Sequence, residues 1–183
     1  MSSWLDVALL AVLIVLNGVF AMSEISLVTS RRARLQRLID DKVAGAERAR
    51  ELNADPNRAL STIQVGITSI GILSGIVGES ALARPMEAFL VMVGLSPETA
   101  KAIGLFVVVV LITYFSIVMG ELVPKRIGQI SPERIACRLA PPIHCLSIIA
   151  APFVKLLSAS THLLLKRLGI SETQGSSVTE EEI

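Results

Sequence analysis

Aromatic residues are scarce in this chain, at 4%, and Trp4 and Tyr114 are its only Trp and Tyr. Charge is scarce as well. Lys, Arg, Asp and Glu make up 18% of the 183 residues while 52% are hydrophobic, against roughly a quarter charged in soluble domains. That excludes an ordinary soluble domain. A net charge of +1 lacks the basic excess that binding a phosphate backbone requires, so no nucleic-acid partner is expected. Cysteine is limited to Cys137 and Cys145, which show no CxxC or Cys/His spacing and read as reduced thiols in packed helices. No Ser/His/Asp, Cys/His or phosphate-loop constellation is present, so an enzyme is not expected. The first apolar segment lacks a basic leader, runs past about 20 residues and is followed by arginines, unlike a signal peptide.

What the chain does have is long uncharged runs. Residues 102–120 carry no charge and are long enough to cross a hydrocarbon core of about 30 Å. Glu121, Pro124 and Lys125 then follow within five positions. An acid at the edge of the hydrocarbon is costly unless paired, wetted or ligating, which makes Glu121 a functional candidate. Pro124 has no N–H to donate and disfavours helix at Val123, so the backbone near Glu121 is expected to open. The expectation is a cation site at a broken helix end.

Two more spans are read from the pattern, over residues 4–28 and 59–78. Asn17, Ala21 and Glu24 share one helical face of the first, where Asn17 and Ser23 serve either as packing glue or as site residues, and Glu24 lies towards the headgroups. In the second, Ser61, Gln64, Thr68, Gly71 and Gly75 form a stripe at three- and four-residue steps. Gly71 and Gly75 give the small-xxx-small spacing that admits a neighbouring helix. Gly66 offers carbonyl oxygen and Thr68 a hydroxyl, the ligand type that Mg²⁺ and Na⁺ require.

Between the first two spans, residues 30–58 are basic and read as two short amphipathic helices on the membrane surface, broken near Gly45 and Pro56. Residues 79–101 read as an outer hairpin loop, with Ser96 and Pro97 starting the third span. Pro141, Pro142 and Pro152 interrupt residues 139–168, which are expected to form a re-entrant or interfacial hairpin and then an amphipathic juxtamembrane helix; a full fourth span is the other reading. His144 and His162 read as lone histidines, not as ligands. Residues 169–183 are polar, with Thr179 as a candidate helix cap. Basic loops mark the cytoplasm, which puts the N-terminus outside and the C-terminus inside. The fold class is all-α integral membrane, with three transmembrane helices.

Three motifs resemble those of one family. Asn17-Gly18-Val19-Phe20-Ala21-Met22-Ser23-Glu24, Leu60 to Thr68, and Gly120-Glu121-Leu122-Val123-Pro124-Lys125 are similar to the three span motifs of the CorC/cyclin M (CNNM) family of hemolysin-like, CBS-containing membrane proteins. The resemblance implies residues 1–168 as the transmembrane domain, with its juxtamembrane region at 132–168. Residues 169–183 then form a linker towards a cytosolic CBS-domain pair that this chain lacks. It implies a homodimer in the plasma or inner membrane that exports Mg²⁺, with Na⁺ exchange, and nucleotide binding only through the absent CBS pair. The implied cation site is Ser23, Gly66, Thr68 and Glu121, with the Ala21 carbonyl; Asn17, Glu24, Pro124 and Lys125 are expected to gate or support it. Family members often have Ser at Ala21 and Asn near Ile67, so this chain offers fewer side-chain oxygens. The rival expectation is a non-transporting membrane anchor or regulator of Mg²⁺/Co²⁺ homeostasis, acting through the CBS domains.

Overall fold

A computed structural model describes residues 3–168; the proposed Thr179 cap and the linker lie outside them. Among these residues the chain is entirely helical, with no strand. The helices are α1 (Ser3–Thr29), α2 (Arg32–Asp40), α3 (Ala46–Ala54), α4 (Pro56–Gly78), α5 (Arg84–Met92), α6 (Pro97–Ile117), α7 (Val123–Ile130), α8 (Pro132–Ile149) and α9 (Ala151–Arg167). Three continuous helical stretches are long and apolar enough to cross a membrane: Trp4–Thr29, Pro56–Met92 and Pro97–Ile130.

The local starts follow elementary capping chemistry. Asp55 accepts the Arg58 N–H at 3.2 Å ahead of Pro56, and Ser96 accepts the Thr99 N–H at 3.4 Å ahead of Pro97. In both cases a proline occupies a first-turn position whose missing N–H has no helical partner to lose. Gly94, at φ +105, turns the chain between α5 and α6, a conformation that favours glycine.

Two expectations about where helices end are corrected. Residues 79–101 are not a loop: the helix runs on through a π-turn at Glu79–Ala83 into α5, and only the turn before Ser96 is non-helical. Nor does Pro124 open a helix end. A second π-turn, Val118–Leu122, carries α6 into α7, and the Val123 N–H bonds to the Val118 carbonyl five residues back. The physical reason is the same at both places. A π-turn already displaces the backbone ladder by one residue, so a proline just beyond it removes a bond that the widened turn does not make.

α1 is the central element, flanked by α4 on one side and by the π-turn and α7 on another. Its approach to the third span needs residues without side chains: a Cβ at Gly120 would lie 3.2 Å from Asn17 Nδ2 and 3.3 Å from the Ile14 carbonyl, and one at Gly128 3.0 Å from the Met22 carbonyl. Towards the basic end, α3 packs on α8 and α2 folds onto α3. Leu35, Ala46, Ala49 and Leu52 are buried with Ala136, Cys137, Ala140 and Ile143 in one cluster that also holds Leu27, Ala59 and Ile63. The two short helices therefore bury their apolar faces against protein. Buried Glu133 ties this bundle to the first loop, accepting the Arg31 N–H at 3.3 Å with the Arg34 guanidinium 3.7 Å away.

Pro141 and Pro142 sit inside an unbroken α8. Pro141 leaves the Cys137 carbonyl without its helical donor, and Gly45, at φ +80, packs on that same carbonyl, where no Cβ would fit. The break comes at Ala150: α8 and α9 meet at 71°, as either a broken span or a re-entrant pair. Cys137 is buried and Cys145 exposed, and both are free thiols.

Candidate cation site

The π-turn ahead of α7 carries a carboxylate that meets a lysine and, through it, a second acid. Glu121 lies within the turn, and Lys125, one helical turn on, donates to its Oε1 at 2.7 Å. The same ammonium reaches Oε2 of Glu24 on α1 at 3.3 Å. An ammonium has three protons to donate, so Lys125 holds both acids at once, and the two carboxylate oxygens lie no more than about 6 Å apart. The group comprises two acids and one base, one negative charge in excess. All three side chains are half-buried, with Glu24 28% and Lys125 32% exposed.

Pro124 contributes through the donor it lacks. Four residues before it stands Gly120, whose carbonyl cannot receive an N–H from proline. Asn17 Nδ2 donates to that carbonyl at 3.0 Å, and the Pro124 ring fills the space a side chain on Gly18 would take. Asn17 Oδ1 is buried without a partner, so the residue presents a spare acceptor inside the seam. Asn17, Gly18, Gly120 and Pro124, singled out in two motifs over a hundred positions apart, thus interlock.

The other expected ligands are placed differently. Ser23 is 1% exposed and donates to the Val19 carbonyl at 2.7 Å on its own helix, which leaves its lone pairs free. Ala21 is fully buried. Gly66 lies inside an unbroken α4, where the ring of Phe20 fills the space beside it; its carbonyl and that of Ala21 point along continuous helices. Thr68 is exposed, facing a groove of about 880 Å³ between α4 and α9. No hydrogen bond joins Ser23, Thr68 and Glu121 to one another. What the fold brings together is Glu24, Glu121 and Lys125, with Thr68 along the groove that Glu24 also lines.

Sequence reasoning did not foresee that groove. Ser61, Gln64 and Thr68 of the polar stripe form its α4 wall with Asn57, while Ser158, Thr161 and His162 supply the opposite wall from α9. The stripe was the signal for it; nothing in the sequence said that α9 would face it. Among the described residues no cluster of three or more His, Cys, Asp or Glu is placed to hold a metal ion. The donor set here is two carboxylates with neutral hydroxyl and amide oxygens.

Comparison with known proteins agrees with the motifs. The chain matches the cyclin M transmembrane N-terminal domain family over residues 8–183. It is 43% identical to the UPF0053 protein sll0260 of Synechocystis over 98% of this chain and 40% of that protein, and 34% identical to the UPF0053 protein YhdT of Bacillus subtilis over 94% and 38%. It is 28% identical to the polyamine export protein of Escherichia coli over 93% of this chain and 38% of that one. The chain therefore spans about two-fifths of the length of the curated relatives it matches. An all-helical, multi-pass membrane domain with these three motifs belongs to the cyclin M (CNNM) transmembrane family.

Proposed function

We propose that this chain is the membrane-embedded part of a cation exporter, with Mg²⁺ as its cargo. The observation that carries the reading is the Lys125 ammonium held between Glu24 and Glu121 at the π-turn. A site that steadies one positive charge between two carboxylates, with an excess of negative charge, is chemically prepared to exchange that charge for another cation. Mg²⁺ takes oxygen ligands, demands octahedral geometry and gives up its water reluctantly. The 880 Å³ groove has room for it to arrive hydrated, past hydroxyls and amides. At the site Glu121 is the principal ligand with retained waters, and the hydroxyls of Ser23 and Thr68 complete the shell once α1 and α4 shift towards it. The carbonyls of Ala21 and Gly66 join only if α1 and α4 open locally. So few acids bind the ion weakly enough to release it.

In this reading the basic loops face the cytoplasm, the protein is a dimer and the direction is outward, with Na⁺ as exchanged ion. The CBS pair in the remainder of the protein supplies nucleotide control. The test uses the full-length protein in liposomes with an Mg²⁺-sensitive dye inside. Wild type moves Mg²⁺; Glu121→Gln brings the flux to background while the protein elutes and melts as before. Undiminished flux in Glu121→Gln overturns the site, and a wild type that moves no ion favours the membrane-anchor and regulator role.

One observation favours a second cargo. The cation already seated between Glu24 and Glu121 is a primary ammonium, and the Escherichia coli relative is named a polyamine export protein. A linear polyamine laid along the α4–α9 groove would present the same group to the same acids. Competition of a polyamine against Mg²⁺ flux in the same liposomes decides between the two cargoes.

A further inference from the structure

Lys125 makes two unequal ion pairs, and the inequality has a use. We propose that Glu24 is a positioning residue that receives the Lys125 ammonium whenever a cation occupies Glu121. This rests on the reading of Glu121 as the cation site. A cation that binds Glu121 must displace an ammonium 2.7 Å away. Releasing a half-buried ammonium with no second partner leaves an uncompensated charge, a costly step. Glu24 removes that step. Its carboxylate is already 3.3 Å from the same nitrogen, so the flexible lysine stem needs only a small rotation to move fully onto it. Glu24 comes from α1, across the seam where Gly18 packs on Pro124, so the handover also ties the state of the third span to that of the first. Among the described residues the α4–α9 groove that Glu24 lines holds no Lys or Arg, and its one basic side chain is His162 on α9.

The experiment is a two-residue cycle on full-length protein in liposomes, read as KM and maximal rate for Mg²⁺, with equilibrium Mg²⁺ binding measured calorimetrically on the same preparations. Glu24→Gln leaves Lys125 with Glu121 alone, and KM rises about tenfold with little change in maximal rate. Lys125→Met removes the internal competitor and lowers KM below wild type. The double variant keeps the KM of Lys125→Met within about twofold, because without the lysine there is no ammonium to receive. Glu24→Asp, which keeps the charge on a shorter arm, falls between wild type and Glu24→Gln and guards against a fold defect. If Glu24→Gln raises KM equally with and without Lys125, Glu24 is a direct cation ligand and the handover is wrong. If it lowers stability or maximal rate with KM unchanged, its role is structural and the handover is again wrong. Transport that fails while binding still shows the cycle leaves the handover standing and overturns only the transporter reading; a wild type that binds no cation overturns both.

Discussion

Gly128 and Gly71 stand on different spans and have opposite needs. A Cβ on Gly128 would crowd the Met22 carbonyl at 3.0 Å and the Ser26 hydroxyl at 3.1 Å, and would press on Ile25, whereas one on Gly71 meets nothing within 4 Å. Gly128→Ala is therefore expected to destabilise the detergent-solubilised protein by about 1–3 kcal/mol, the usual cost of overpacking. Gly71→Ala should be neutral or gain about 0.5–1 kcal/mol from helix propensity. Thermal unfolding of the two variants side by side checks both signs. Asn17 belongs to the same seam. Removing its bond to the Gly120 carbonyl, as in Asn17→Ala, is expected to cost between about 0.6 kcal/mol, the average for hydrogen bonds between membrane helices, and their maximum of about 1.7 kcal/mol. Residues of this kind were legible as anomalies, since an Asn, two acids and a Lys beside apolar runs ask for an explanation. Their pairing was not legible. Whether Lys125 meets Glu24 depends on the register of α7 against α1, across about a hundred residues of chain, and no local pattern records that register.

At the scale of the helix, Pro124 and Pro141 were read as breakers of helices that in fact continue, and the backbone around each explains why. Pro85 and Pro124 each fall just beyond a π-turn, and Pro141 lies within α8 with its freed carbonyl against Gly45. Read locally, Pro124 and Pro141 are helix breakers; in the fold, each proline's lost bond coincides with a widened turn or a close neighbour. The cap at Ser96, the break near Pro56, the short helices α2 and α3, and the bend before Pro152 were legible because they depend only on neighbouring residues. The test of the π-turn is Pro124→Ala. It restores an N–H that competes with Asn17 for the Gly120 carbonyl and removes the ring from Gly18. The helix is expected to relax towards regular α geometry, turning Glu121 away from its alignment with Glu24. Mg²⁺ flux should then fall by tenfold or more while the thermal midpoint moves by only a few degrees. Equal losses of flux and stability would reduce Pro124 to packing.

For the whole molecule, the distribution of bare glycines separates inward from outward faces. Gly18, Gly66, Gly78, Gly120 and Gly128 are all filled against by neighbours within the chain, while Gly71 and Gly75 on α4 meet nothing. Those two line a crevice of about 390 Å³ between α4 and α6, with Ser74 buried beside them and Val108, Ile112 and Ser116 opposite. A small-residue spacing left open inside one chain leaves its helix backbone free for close approach by another, and the family resemblance implies a dimer. On the proposed dimer, α4 and α6 supply the contact and this crevice is where the second copy inserts. Gly71→Leu with Gly75→Leu should then leave each chain folded, since nothing in the chain occupies that space. Its effect should be a loss of dimer of at least tenfold, measured by cross-linking in membranes or by mass photometry in detergent. The same double change at Gly120 and Gly128 should instead abolish folded protein altogether, because there the missing side chains are what allow α1 to reach the third span. If the Gly71/Gly75 variant dimerises as wild type does, the face belongs to lipid, and the partner surface must be sought on the exposed valines and phenylalanines of α6.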